Sequence, residues 1–266
     1  MIGIIDSGVG GLSVWKAIRS DTNSQLRIVY IADTAYMPYG VRNKQDICKR
    51  VTDLSRILIR KQCSIIILAC NTATVQALSE LRLQFQSTNF IGMEPGIKPA
   101  SSLSKNRNIG LLATKSTITS TRVSRLIDQY GKNCSFFFQT DQGLAESIEH
   151  KDEIDNSIID EHVEFVYKRD IDTLILGCSH YPLIFQQIKK RLPAGVNIIH
   201  TENSISERLR SVMTKFTTTP PHGSNPANEF FTTGNPSSCA KSFSRILQEE
   251  ISVNPLDDRQ ICWSQH

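Results

Sequence analysis

Ile65-Ile66-Ile67-Leu68-Ala69-Cys70-Asn71-Thr72 and Thr173-Leu174-Ile175-Leu176-Gly177-Cys178-Ser179-His180 carry one pattern in two places. Each is an apolar, mostly branched run that ends in a small residue, a cysteine and polar groups. Runs of this length without polar alternation read as strands covered on both faces, as in a parallel sheet. Each cysteine then stands where a strand runs out and a helix begins, which is the end of an α/β sheet where ligands bind. Two thiols delivered to such places suggest a pair of acid/base groups for one substrate.

The repeat extends outward from the cysteines. Ile109-Gly110-Leu111-Leu112-Ala113-Thr114 matches Ile2-Gly3-Ile4-Ile5-Asp6-Ser7, and nearly the same length of chain separates this pair as separates Cys70 from Cys178. Two near-equal offsets argue for an internal duplication. Between the strands, Gly10 to Ser20 reads as a helix, Arg27 to Ile31 as a strand, and Ile47 to Lys61 as an amphipathic helix with Val51, Leu54, Ile57 and Leu58 on one face. Strands alternating with helices predict a covered parallel sheet. The expected fold is α/β: two similar lobes, each a mainly parallel sheet flanked by helices, with the active site in the cleft between them.

Residues 1–96 plus 208–266 are expected to form the first lobe, on the Cys70 side, and 97–207 the second, on the Cys178 side. Thr217 to Pro226 reads as an irregular connection, Phe230 to Gly234 as a strand and turn, and Ser242 to Ile251 as a closing helix. This tail is too short to fold alone and is expected to return to the first lobe. The residues from Pro255 on are expected to be loosely held.

The chain has 266 residues, a formal net charge of +4 and seven cysteines. Its lysines and arginines are scattered, with no basic stripe calling for nucleic acid or an anionic membrane. The cysteines are odd in number and form no C-x-x-C, which argues against a disulfide framework or a zinc knuckle. No apolar stretch approaches the roughly 18 residues of a membrane span. The first residues are strand-like and lack the features of a secretory signal. The expected location is the cytoplasm.

Asp6-Ser7-Gly8-Val9-Gly10-Gly11 follows the first strand and opens a helix, a place where glycine backbone can approach an anion. With Asp33 after the second strand, a dinucleotide site is one reading. The pattern closes at Ser13 rather than glycine, and Asp6 would set a carboxylate against a pyrophosphate, so that reading is set aside. Asp6 is otherwise a helix cap or a carboxylate that exchanges a proton with a thiol, and Ser7 a second cap or a substrate contact. Pro38-Tyr39-Gly40 is a turn or a substrate loop. A free cysteine is usually a small buried hydrophobe, and Cys48, Cys63 and Cys134 look so. Cys70 and Cys178 precede presumed helix N-termini, which lower a thiol's pKa from roughly 8.5 toward neutrality. His180 has no second histidine at metal-ligand spacing and reads as a group that protonates or orients its neighbours.

With Asp6 to Gly11, Pro38-Tyr39-Gly40, Ala69-Cys70-Asn71-Thr72-Ala73-Thr74 and Gly177-Cys178-Ser179-His180-Tyr181-Pro182-Leu183 in order, the chain resembles the glutamate racemases of the cofactor-independent aspartate/glutamate racemase superfamily from Ile2 to about Ile246. The resemblance implies a two-base racemisation without cofactor or metal, in which one cysteine thiolate removes the α-proton and the other cysteine protonates the opposite face. It gives Cys70 to D-glutamate and Cys178 to L-glutamate, with Asp6 and Asp33 near the first thiol and Glu146 and His180 near the second. The implied substrate contacts are Asp6, Ser7, Tyr39, Gly40, Asn71, Thr72, Thr114, Thr117, Ser179 and His180. It also implies a homodimer and D-glutamate supply for peptidoglycan, hence for cell wall and cell shape.

The sequence departs from that pattern in three places. Ser179 stands where threonine is usual, Cys134 to Thr140 is unusual, and His200 stands where members commonly carry aspartate. The chain also begins without the N-terminal extension of members activated by a peptidoglycan precursor, so that regulation is not expected. Three alternatives remain: a racemase of aspartate or another amino acid, a non-catalytic clamp for an acidic amino acid, and a non-catalytic regulatory role for which the sequence offers no handle.

Overall fold

The computed structural model describes residues 1–21, 26–151, 153–214 and 228–256. The chain divides into two compact units, Met1–Met93 with the segment from Glu202 onward, and Glu94–Thr201. The first unit begins β1 (Ile2–Asp6), α1 (Leu12–Asp21), β2 (Ile28–Ala32), α2 (Lys44–Arg60), β3 (Ile65–Leu68), α3 (Asn71–Gln84) and β4 (Asn89–Gly92). The second comprises α4 (Ile97–Leu103), β5 (Asn108–Ala113), α5 (Lys115–Ile118), α6 (Thr121–Tyr130), β6 (Ser135–Thr140), α7 (Leu144–His150), α8 (Asn156–Lys168), β7 (Thr173–Gly177), α9 (Phe185–Lys189) and β8 (Asn197–Ile199). The first is completed by α10 (Glu202–Met213), β9 (Glu229–Thr232), α11 (Pro236–Leu247) and β10 (Asn254–Pro255).

Both sheets are parallel throughout, and they share an order. The first unit runs β10-β9-β2-β1-β3-β4 and the second β6-β5-β7-β8. Each unit's first strand therefore lies between its second and third, with the fourth outside the third. The duplication read from two apolar runs is a duplication of topology, to which β9 and β10 add an edge in the first unit. Ile2 pairs with Ile65 and Ile109 with Thr173. The same register leads from the end of β1 to Cys70 and from the end of β5 to Cys178.

β1, β2, β3 and β7 are buried along their whole length, as their unbroken apolar runs require. In the first unit Ile5, Val29, Ile31, Leu54, Leu58, Ile66 and Leu68 form one core, and α2 lies so close that a Cβ on Gly3 would sit 2.5 Å from Leu58 Cδ1. In the second, Leu112, Leu174 and Leu176 pack with Ile159 and Val163 of α8, and Ile109, Leu111 and Ile175 with Ile97 and Val123. Among the described residues no helix is long and apolar enough to cross a membrane.

Three expectations change. The helix expected from Ile47 begins at Lys44, because Asn43 accepts a hydrogen bond from the Asp46 N–H. The closing helix is Pro236–Leu247 rather than Ser242 to Ile251. Asn235 caps it from the Ser238 N–H, Pro236 presets its first turn, and Gln248 ends it with φ 59°. β9 pairs with β2, so the tail does return to the first unit. Pro255 pairs with Thr232 and Leu256 is buried, so those two residues are held, and 257–266 lie outside the described residues. Thr217 to Pro226 lies outside the described residues.

Candidate active site

In the first unit the functional groups gather at the ends of β1, β2 and β3. Cys70 is the cap residue of the 14-residue α3 without a side-chain cap bond, so its sulfur stands at the helix end whose partial positive charge favours an anion. Ser7 donates to Cys70 Sγ at 3.9 Å, as the β1–β3 register requires. Asp6 is fully buried, and its Oδ1 accepts from the Gly8 N–H at 2.9 Å, closing the glycine turn. Tyr30 Oη donates to the Gly8 carbonyl at 2.8 Å and holds the turn from below. Gly11 leaves no room for a side chain: a Cβ there would lie 2.7 Å from Tyr30 Oη and 2.8 Å from Asp6 Cβ. Asn71 is tied by Nδ2 to the Met93 carbonyl at 2.9 Å, and Thr72 is buried beside it in the first turn of α3.

Asp33 is held by a network that the sequence reading did not contain. Arg50 Nη2 lies 2.7 Å from Asp33 Oδ1, Tyr39 Oη donates to Oδ2 at 2.5 Å, and Thr233 Oγ1 donates to Oδ1 at 2.7 Å. Tyr39 is buried in the same core as Cys70, with Gly40 half-buried after it. Burial first, then the Asp33 charge, pushes the Tyr39 hydroxyl well above its ordinary value, so it stays a donor. Arg50 could have been found: with Ile47, Val51 and Leu54 it falls on the apolar stripe of α2, where a cation needs a partner.

The second unit repeats the backbone but not the helpers. Cys178 Sγ lies 3.8 Å from His180 Nδ1, and His180 Nε2 lies 2.8 Å from Glu149 Oε2. All three residues are buried. Glu149, not Glu146, is the carboxylate against His180. Glu146 is exposed on the outer face of α7, whereas Glu149 shares the inner stripe with Ala145 and Ile148. That spacing was the missed signal. Thr114 follows β5 as Ser7 follows β1, and its Oγ1 caps α5, accepting from the Thr117 N–H at 3.2 Å. Thr117 and Ser179 are fully or nearly buried.

Asp141 and His162, also unforeseen, set this half in place. Asp141 Oδ1 accepts from the Leu144 and Ala145 N–H groups at 2.8 and 3.3 Å, fixing the start of the helix that carries Glu149. His162 Nε2 accepts from the Gln142 N–H at 3.1 Å, so Nδ1 bears the proton donated to the Ile158 carbonyl at 2.7 Å.

The electrostatics correct one expectation. Cys178 is followed by a 3-10 turn, Tyr181–Ile184, rather than the start of an α-helix. Burial pushes its thiol up, and the hydrogen bond to His180 offsets part of this. For His180, burial works against the charged form, yet the bonds to Cys178 and Glu149 outweigh it and hold the imidazole well above its usual range. Elsewhere burial lifts Cys48 and Cys63 to about 11, which keeps them as thiols near neutrality. Among the described residues no His, Cys, Asp and Glu cluster is arranged to hold a metal.

The Asp/Glu/Hydantoin racemase family model matches residues 2–203. The chain belongs to that family. It is 41% identical over 218 residues to the glutamate racemase of Aliarcobacter butzleri, covering 79% of this chain and 83% of the relative. To the glutamate racemase of Pseudomonas paraeruginosa it is 32% identical, covering 96% and 97% of the two chains. Among solved structures it is similar to a glutamate racemase isoform from Bacillus anthracis, with TM-score 0.87, 31% identity and 97% of each chain covered. The Escherichia coli glutamate racemase in complex with L-glutamate and an activator aligns with TM-score 0.85, 27% identity, and 96% and 97% coverage. Within this family the chain's two sheets have the parallel α/β form expected from its sequence.

Proposed function

We propose that this chain is a glutamate racemase that interconverts L- and D-glutamate by two-thiol, cofactor-independent proton transfer at the α carbon. What carries the reading is the pairing of Cys70 with Ser7 and of Cys178 with His180 at matching strand ends of two duplicated sheets. In the L to D direction Cys178 acts as the base. His180, held by Glu149, stabilises its thiolate while the Cα–H bond breaks, and Cys70 delivers a proton to the opposite face. In the D to L direction the roles exchange, with Ser7 hydrogen-bonded to the Cys70 sulfur. Asp6 lies beside the first thiol's turn.

The α-proton is weakly acidic, so catalysis depends on thiolates kept from water and on donors placed where charge grows on the α-carboxylate. Ser7, Tyr39, Gly40, Asn71, Thr72, Thr114, Thr117, Ser179 and His180 supply hydroxyls, amides and N–H groups for the substrate. D-glutamate for peptidoglycan, a cytoplasmic location and a homodimer belong to the same reading.

The test is chirally resolved analysis of glutamate and aspartate incubated with purified protein, without added pyridoxal phosphate or metal. Conversion of either glutamate enantiomer to a racemic mixture, with aspartate slower, supports the reading. Binding of glutamate without conversion would favour the clamp, and faster conversion of aspartate the other racemase.

A further inference from the structure

On α2, in the unit that carries Cys70, lies a buried cation with no part in the proton transfers, Arg50. It is 7% exposed, and besides the Nη2 bond its Nε lies 3.0 and 2.9 Å from the two oxygens of Asp33. The Tyr36 ring covers the guanidinium, with its centre 4.0 Å from Cζ. Asp33 is fully buried. Four elements meet on its carboxylate: the end of β2, the Tyr39 turn, α2 and the residue after β9.

A carboxylate that relays protons to a thiol needs an oxygen it can offer. Both oxygens of Asp33 are occupied by donors from Arg50, Tyr39 and Thr233. A proton could enter only by displacing one of them. A guanidinium in a dry site does not give up its partner cheaply, because it cannot discharge itself by losing a proton. We infer that Arg50 is a positioning residue: it fixes Asp33 as the acceptor of the Tyr39 hydroxyl, locking Tyr39 for substrate binding beside Cys70, so that Asp33 orients substrate rather than relaying protons. The inference rests on the racemase reading and adds to it the division of labour around the first thiol.

The test is a kinetic cycle of Arg50→Lys, Tyr39→Phe and the double variant, with proton NMR of each. A 2.5 Å hydroxyl–carboxylate bond shielded from water should give a downfield proton resonance that is absent in Y39F and displaced in R50K. Each single variant should raise KM for both enantiomers about tenfold, the scale of one weakened charge-assisted bond, with kcat little changed. The double should be no worse than Y39F, and the pH limbs of kcat should not move. Additive effects, or an R50K enzyme whose KM is intact but whose kcat loses an ionisation limb, would overturn the proposal. If R50K does not fold, Thr233→Val removes another donor from the same carboxylate: a KM effect lost in the Y39F background supports the positioning role, and unchanged kinetics overturns it. A wild-type chain that shows the resonance but racemises nothing would refute the racemase reading and leave the Arg50–Asp33–Tyr39 arrangement standing.

Discussion

His180 joins two groups of opposite demand, a thiol 3.8 Å from one ring nitrogen and a carboxylate 2.8 Å from the other. Its folded pKa is raised above the unfolded value, so the stability it contributes is fully present below about pH 6.5 and is lost as pH rises through the folded value. Urea titrations of wild type and His180→Gln should therefore differ most at low pH and converge as pH rises, and a difference that grew with pH would contradict this sign. Glu149→Gln should lower turnover from L-glutamate roughly 10- to 100-fold, whereas Glu146→Gln should leave both directions within about twofold, as for an exposed side chain. Initial rates in each direction separate the two. The thiols, His180 and Asp33 were legible as residue types at strand ends. Glu149 and Arg50 were missed although their signal was present, because a charged residue on an apolar helix stripe is easily taken for a break in the pattern rather than for a group with a buried partner.

At the scale of elements, the strand ends aim the chemistry and the turns hold them rigid. The Asp6 to Gly11 turn has no slack, with three neighbours within 2.9 Å of any Cβ on Gly11. Gly11→Ala should cost about 1–3 kcal/mol by overpacking and depress activity with it, checked by urea unfolding and rate together. Asn235→Ala removes the N-cap of α11 and should cost about 1 kcal/mol, read by urea unfolding. The apolar runs gave the sequence reading its strands, since burial on both faces leaves an unbroken pattern. Helix ends were harder to read. The starts of α2 and α11 are set by Asn43 and Asn235, polar residues outside the periodic stripe. The expectation that a helix N-terminus lowers the Cys178 thiol's pKa was not met, because burial pushes it up and a 3-10 turn rather than an α-helix follows it.

For the whole molecule, the shared strand order β2-β1-β3-β4 and β6-β5-β7-β8 means that one arrangement of strands delivers a sulfur twice. The duplication was visible in two pairs of matched runs, and the extra strands β9 and β10 were half visible, as a strand and turn near Phe230. The two halves surround their thiols differently, as the unlike helpers implied for the two thiols suggest, with a hydroxyl at Cys70 and an imidazole–carboxylate pair at Cys178. The most direct test is racemisation of L-glutamate in deuterium oxide by wild type, Cys70→Ser and Cys178→Ser. The two-thiol account predicts that wild type yields D-glutamate carrying deuterium at the α carbon and that each variant is slowed at least about 100-fold. D-glutamate that keeps its original α-proton, or a serine variant that racemises at the wild-type rate, would contradict it.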